Sequence, residues 1–461
     1  MLRYSPRVQE LALKGDGFSH KILESVWFRT TVLFPNLRKL KWSCSQPGPL
    51  ILIRLLLSPS LVDLCVWLSV AYGNHTSVLG FLESHHTLCP NLKSLQFHSA
   101  LDASGLTTVV SRAICRFTNL EVLECDHIDE AALTHVSQSR CLRRFTSHHF
   151  YLQPGGWERI AGYGTPDHPP FENLRALKLK LGDLPSFIPC LKSHSQPFEE
   201  VSFDIRSFAP PEVIHELFTA LCSVTRRATL RHITLFVPTV TVEEAEESTY
   251  RADFQVLSPL ATLNLHELDI NIGIPISLND DELVRLVQGW PHLECLNLNQ
   301  HGVWYFVPSL RFPTLRGLVL VLARCPRLYE LGMSFDATSI PSLSDEEALI
   351  RNTAITMLSV SASPIRWPAI VAHFLLEHLP SLVNVEKWLS SCMWTNVDPV
   401  NARTNWLALE RMWRKVEWHI RRIRGLEHSG PESSESEIGA GSSMNKNLAR
   451  WVNADVEERD N

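Results

Sequence analysis

The amino-acid sequence predicts an α/β solenoid in which short strands alternate with helices and stack in chain order. Three observations predict it. The strand signature L-x-x-L-x-apolar returns with its first residue at Val8, Leu37, Leu61, Leu92, Leu120, Leu142, Leu174, Phe198, Leu230, Leu265, Leu293, Leu328, Ile355 and Leu382. These 14 markers lie 22 to 35 residues apart and average about 29, at the upper edge of the leucine-rich-repeat range. Residues 312–333 hold one complete repeat: helix-spaced Leu315, Leu318, Val319 and Leu322, a stop at Cys325 and Pro326, then Leu328, Leu331 and Met333 alternating with Tyr329, Glu330 and Gly332. The expected fold class is therefore an α/β leucine-rich-repeat solenoid, with one strand and one helix per repeat.

Neither a short strand nor a single helix can bury its apolar side alone, so neighbouring repeats must stack. Signature positions 1, 4 and 6 are expected to point into the core, and positions 3 and 5 to the concave face. Helices are expected over 20–33, 50–57, 76–87, 102–116, 130–137, 211–224, 280–289 and 368–378. Pro211 suits a first helical turn. Asn279 with Glu282, and Ser344 with Glu347, have the spacing of a capping box. Prolines 59, 90, 291, 313, 326 and 380 stop a helix and turn the chain into the next strand. Residues 151–170 are rich in Gly and Pro and are expected to loop outward; the acidic stretch 238–253 is expected to be a solvated loop. The repeats lack the asparagine that regular leucine-rich repeats place after the strand, so an irregular arc is expected.

The solenoid is expected over residues 1–402. Over 403–424 the spacing of Trp406, Leu409, Trp413, Val416, Ile420 and Ile423 makes a helical apolar stripe, with Arg411, Arg414, Lys415, Arg421, Arg422 and Arg424 mostly off it. That helix either caps the last repeat or offers a basic face to a partner. Residues 425–461 have no apolar period and are expected to be disordered.

Composition narrows the function. At 461 residues and 45% hydrophobic the chain has ample core, and its net charge of −6 does not suggest a nucleic-acid binder. The 11 cysteines include no C-x-x-C pair, and Cys89, Cys295 and Cys325 stand where other repeats place large apolar residues. Reduced, buried thiols favour a cytoplasmic or nuclear protein. No signal peptide is visible at the N-terminus. The most hydrophobic window, 50–72, is interrupted by Arg54, Pro59 and Asp63, so no membrane span is expected.

No nucleophile elbow, phosphate loop, dinucleotide fingerprint or H-E-x-x-H motif occurs, so no enzyme activity and no cofactor are expected. The pairs His85-His86 and His148-His149 are sequence neighbours that cannot face one site, so no metal site is expected. Asp280-Asp281 and Glu346-Glu347 fall in first helical turns, where they favour the helix dipole. The candidate protein-binding residues lie on the concave face. It begins basic (Lys39, Lys41) and becomes mixed at Glu124, Asp126, Arg144 and His148. It is basic again at Lys178 and Lys180, then acidic at Glu200, Asp204, Glu267, Asp269 and Glu330. Two readings stand: the second half prefers a basic segment of a ligand, or the face is simply solvated.

The segments FPNLRKLKW, CPNLKSLQF and LRGLVLVLARCPRLYELGMSFDA, then ITMLSVSASPIRWPAIVAHFLLEHLPSLVNVEKW and a Trp-rich final helix, resemble fungal (basidiomycete) F-box proteins with leucine-rich repeats. The likeness covers roughly residues 1–425. It implies that the repeats recruit a substrate to a cullin-RING ubiquitin ligase of the SCF type. In that family an F-box opening L-P-x-E docks the Skp adaptor, and it lies upstream of the strand that here is VQELAL. The chain is expected to lack this segment, so adaptor docking transfers to no residue. The alternatives are a stand-alone repeat scaffold without a ligase link and a truncated gene product.

Overall fold

The structure is a computed structural model that describes residues 5–15, 21, 23, 32–44, 48–68, 87–99, 104–151, 155–163, 169–194, 197–224, 229–238, 250–300, 310–361, 363–386 and 401–426. It is an α/β fold of parallel strands alternating with helices. The chain divides into two compact units, Met1–Arg206 with Ser223–Thr229, and Ser207–Cys222 with Leu230–Asn461.

The described residues of the first unit form eight strands: β1 (Glu10–Gly15), β2 (Lys39–Cys44), β3 (Asp63–Leu68), β4 (Ser94–Ser99), β5 (Val122–Asp129), β6 (Arg144–Tyr151), β7 (Ala176–Leu181) and β8 (Glu200–Ile205). Each pairs in parallel with the next in chain order. The register matches the signature. Its fourth positions stand side by side as Leu11, Leu40, Leu64, Leu95, Leu123, Phe145, Leu177 and Val201. All but half-buried Leu11 are buried, each such side chain contributing about 1.5–3 kcal/mol.

The turns before the strands also pass hydrogen bonds from repeat to repeat. Asn36 Nδ2 donates to Pro6 O at 2.9 Å, Asn91 Nδ2 to Pro59 O at 2.9 Å and Asn173 Nδ2 to Arg140 O at 2.9 Å. The Asn-Leu pair, preceded by Pro at 35 and 90 and by Glu at 172, thus ties each of these turns to the repeat before.

The helices given in full among the described residues of the first unit are α1 (Ser104–Ile114), α2 (Glu130–Ser137), α3 (Gly156–Tyr163) and α4 (Ile188–Ser193). Asp129 caps α2 by accepting from Ala132 N–H at 2.9 Å. The outward loop expected over 151–170 is corrected: α3 lies inside it. Trp157 and Ile160, three apart, make an apolar edge that is buried, with Trp157 edge-on to Phe187 at 4.9 Å. Over 50–57 the expected helix is a 3-10 helix, Gly48–Leu55.

In the second unit the described strands are β9 (His232–Phe236), β10 (Glu267–Asn271), β11 (Cys295–Leu298), β12 (Glu330–Met333), β13 (Met357–Ser359) and β14 (Asn384–Glu386). They too are parallel and in chain order, with Ile233, Leu268, Leu296, Leu331, Leu358 and Val385 aligned and buried. Its helices are α5 (Pro211–Val224), which belongs to it through Cys222, α6 (Phe254–Leu257), α7 (Asp280–Val287), α8 (Leu315–Arg324), α9 (Pro368–His378) and α10 (Asn401–Ile423).

The expected capping box on α7 is formed in both directions, Asn279 Oδ1 accepting from Glu282 N–H and Glu282 Oε2 from Asn279 N–H, each at 2.9 Å. Asp280 does more than favour the dipole. Its two oxygens accept from Thr314 N–H and Thr314 Oγ1, both at 2.7 Å, so it fixes the residue that caps α8. Ser344 and Glu347 also exchange hydrogen bonds, at 2.9 and 3.2 Å, but start only a 3-10 turn, Glu347–Leu349. One repeat does place an asparagine after its strand, contrary to expectation. Asn299 adopts φ 51°, its Oδ1 accepts from Ile272 N–H at 2.8 Å and its Nδ2 donates to Ile274 O at 2.6 Å. Asparagine is one of the few residues that tolerates this left-handed backbone.

Along α10, Trp413, Val416 and Ile420 are buried against α9 and β14. Trp413 Nε1 donates to Ser363 O at 2.8 Å and the ring meets Phe335 edge-on. Arg424 donates to the carbonyls of Pro380 and Ser381. Cys89, Cys295 and Cys325 are buried free thiols, and burial pushes Cys89 and Cys325 up to about 12. No helix among the described residues is long and apolar enough to cross a membrane. The helices expected over 20–33 and 76–87 fall almost wholly outside the described residues, as do most of 238–253 and of the tail.

Two outcomes follow for stability. Leu177→Asp in the first unit, or Leu296→Asp in the second, should uncouple a repeat from its neighbours, seen as a lowered urea midpoint or loss of a single cooperative transition. Burial lowers the His378 imidazole from its ordinary 6.5, against the opposing hydrogen bond to Ile350 O at 2.8 Å. As pH falls through 6.5 the unfolded chain therefore takes the proton first, and stability present above that pH is lost below it. His378→Gln should reduce the drop in thermal midpoint between about pH 7 and pH 5, measured by circular dichroism.

Candidate binding face and a His-Asp-His cluster

Strand alternation turns signature positions 3, 5 and 7 of the first unit outward, away from the buried leucines. The expected residues Lys39, Lys41, Glu124, Arg144, Lys178, Glu200 and Asp204 all lie there, none of them buried. Much of their charge is answered within the sheet. Lys39 meets Glu10 at 2.9 Å, Lys178 meets Glu200 at 2.5 Å and Lys180 meets Asp204 at 2.8 Å. The lysine row and the following acidic row are thus two halves of one ladder of exposed ion pairs, each worth little in water.

The second unit has its own outward residues. Glu267 faces His232 Nδ1 at 3.1 Å, and Glu330 accepts from Asn297 Nδ2 at 2.8 Å. Asp269 is half-buried on β10. In β11 the outward positions Cys295 and Asn297 are themselves buried, which narrows the exposed face expected there. Asn297 lies over Gly332, where an added Cβ would stand 2.4 Å from Asn297 Oδ1.

The seventh positions of the first unit bring together what the sequence keeps apart. Trp67 is opposite His98 in the β3–β4 register. Asp126 lies one residue past the Phe97–Cys125 pair, and His148 sits between Ser147 and His149, which pair with Cys125 and His127. His98 Nδ1 is 3.3 Å from Asp126 Oδ1, and His148 Nε2 is 4.0 Å from the same oxygen. The three ligand atoms lie within 4.8 Å of one another.

Asp126 and His98 are held from behind. The Ser99 N–H donates to Asp126 Oδ2 at 2.6 Å, leaving Oδ1 toward the two rings. Trp67 stacks on His98 with centroids 3.9 Å apart and planes at 25°, and its Nε1 donates to Cys65 Sγ at 3.1 Å. Glu124 Oε1 stands 3.7 Å from His98 Nε2. Burial acts to raise Asp126, but the His98 and Ser99 hydrogen bonds and the two imidazoles outweigh it and hold the carboxyl below its ordinary 3.8.

His148 and Asp126 were named from the sequence as face residues; His98 and Trp67 were not. The signal was present, because His98, Asp126 and His148 each stand six residues after a marker, at Leu92, Leu120 and Leu142.

No protein-family model matches the chain, and no curated protein matches it.

Asp126→Ala should remove the carboxylate that accepts from the Ser99 N–H and faces His98. The expected loss is about 1–3 kcal/mol, read from urea denaturation.

Proposed function

We propose that the chain is a leucine-rich-repeat scaffold that binds a protein segment on the outward, concave side of its sheet and carries out no chemistry itself. Trp67 is the observation that carries this reading. It is 52% exposed on the third strand of a parallel ladder, on a face that also carries ion pairs. Its plane is fixed by His98 and by the bond to Cys65, so little freedom is lost when a partner covers it. Exposed, pre-ordered tryptophans beside charged neighbours are the residues that dominate binding at protein interfaces. The surrounding ion pairs supply register and discrimination more than affinity.

The resemblance to fungal F-box proteins extends the proposal: the bound segment belongs to a substrate of an SCF-type ubiquitin ligase. The scaffold then acts by position, holding the target near a ligase whose chemistry lies elsewhere. Delivery requires an F-box to meet the Skp-type adaptor, and the residues described here supply only the recruiting surface.

The test is affinity purification of the tagged chain beside Trp67→Ala, with thermal midpoints matched. A partner recovered by the parent and lost at least about tenfold by the variant supports docking on this face. Equal recovery of every partner by both proteins removes the face from the function. Recovery of ubiquitylated partners together with the adaptor supports the ligase link, whereas partners without either leave a stand-alone scaffold.

A further inference from the structure

We infer that His98, Asp126 and His148 form a binding site for a divalent transition-metal ion of the zinc class. The inference is independent of the scaffold reading, since it rests on the cluster alone. Three successive parallel strands, each about 4.8 Å from the next, present one nitrogen or oxygen ligand apiece in a single lateral row. The donor set is two imidazoles and one carboxylate. That set suits zinc or iron(II), and disfavours calcium and magnesium, which take oxygen ligands.

Distances fit the same ions. Zinc binds nitrogen and oxygen at about 2.0–2.2 Å, so tetrahedral ligands stand about 3.3 Å apart. The His98–Asp126 separation is already 3.3 Å. The His148–Asp126 separation is 4.0 Å, and the His148 side chain is 49% exposed and can close the difference by a small rotation. The ion would sit between His98 Nδ1 and Asp126 Oδ1, where the two atoms now face each other at 3.3 Å.

The outer contacts are those that ligands need. A backbone N–H holds the distal carboxylate oxygen of Asp126, and Trp67 fixes the plane of His98, whose side chain is only 7% exposed. Glu124 Oε1 stands 3.7 Å from the far nitrogen of His98, on the side where a ligating imidazole gives its remaining N–H to a carboxylate. Three protein ligands on an exposed face leave a fourth position open, for water or for a side chain brought by a partner.

The full chain, stripped with chelator, is titrated with Zn(II) by calorimetry and with Co(II) by visible absorption. The expected result is one ion per chain, with the strong d–d bands of a tetrahedral cobalt site. His148→Ala is the decisive variant because that side chain is half-exposed and its loss spares the core; it should weaken binding at least about 100-fold and abolish the cobalt bands. Asp126→Asn, with folding checked by circular dichroism, should do the same. His232→Ala, in the second unit, should leave both unchanged. No stoichiometric binding by the parent, or binding that His148→Ala leaves intact, overturns the site.

Discussion

Each unit depends on a row of side chains, the fourth position of each strand signature, in register from strand to strand and buried in all but the first strand. Leu40, Leu64, Leu95 and Leu123 in the first unit, and Leu268, Leu296, Leu331 and Leu358 in the second, touch the same kind of residue on both sides. A parallel strand that slipped by one residue would turn this row to solvent and bring charge inside. The row therefore sets the register, and the register sets every outward neighbour. The Pro-Asn-Leu turns and the Asp280–Thr314 pair strengthen the same step from repeat to repeat without defining it.

The outward face follows from that constraint. Residues far apart in sequence become lateral neighbours when they share an offset from their markers. Lysines therefore meet carboxylates, and two histidines meet one aspartate. A face read as alternating blocks of charge becomes, in part, a ladder of ion pairs, with Trp67 exposed on β3. A ligand for such a face gains more from Trp67 and the directional groups around it than from net charge.

Several elements were legible at residue precision. The helices at 130–137, 211–224 and 368–378 have the expected bounds, the second opening at Pro211. Residues 156–163 were not legible. Gly155, Gly156 and nearby prolines read as loop, and only the burial of Trp157 and Ile160 against the neighbouring repeat makes the turn helical. The 3-10 form of Gly48–Leu55 was equally invisible, because apolar spacing over so short a stretch does not separate it from an α-helix.

The sequence by itself determined the period, the strand–helix alternation and which face of each strand is buried, because these depend only on where apolar residues fall along the chain. Tertiary structure alone decided which outward residues meet. The distance from His98 to Asp126 and to His148 is a property of strand pairing, and hydrogen-bond register between repeats is not written in any one of them. A local pattern can say that a side chain faces out; only the stacked neighbours can say what it faces.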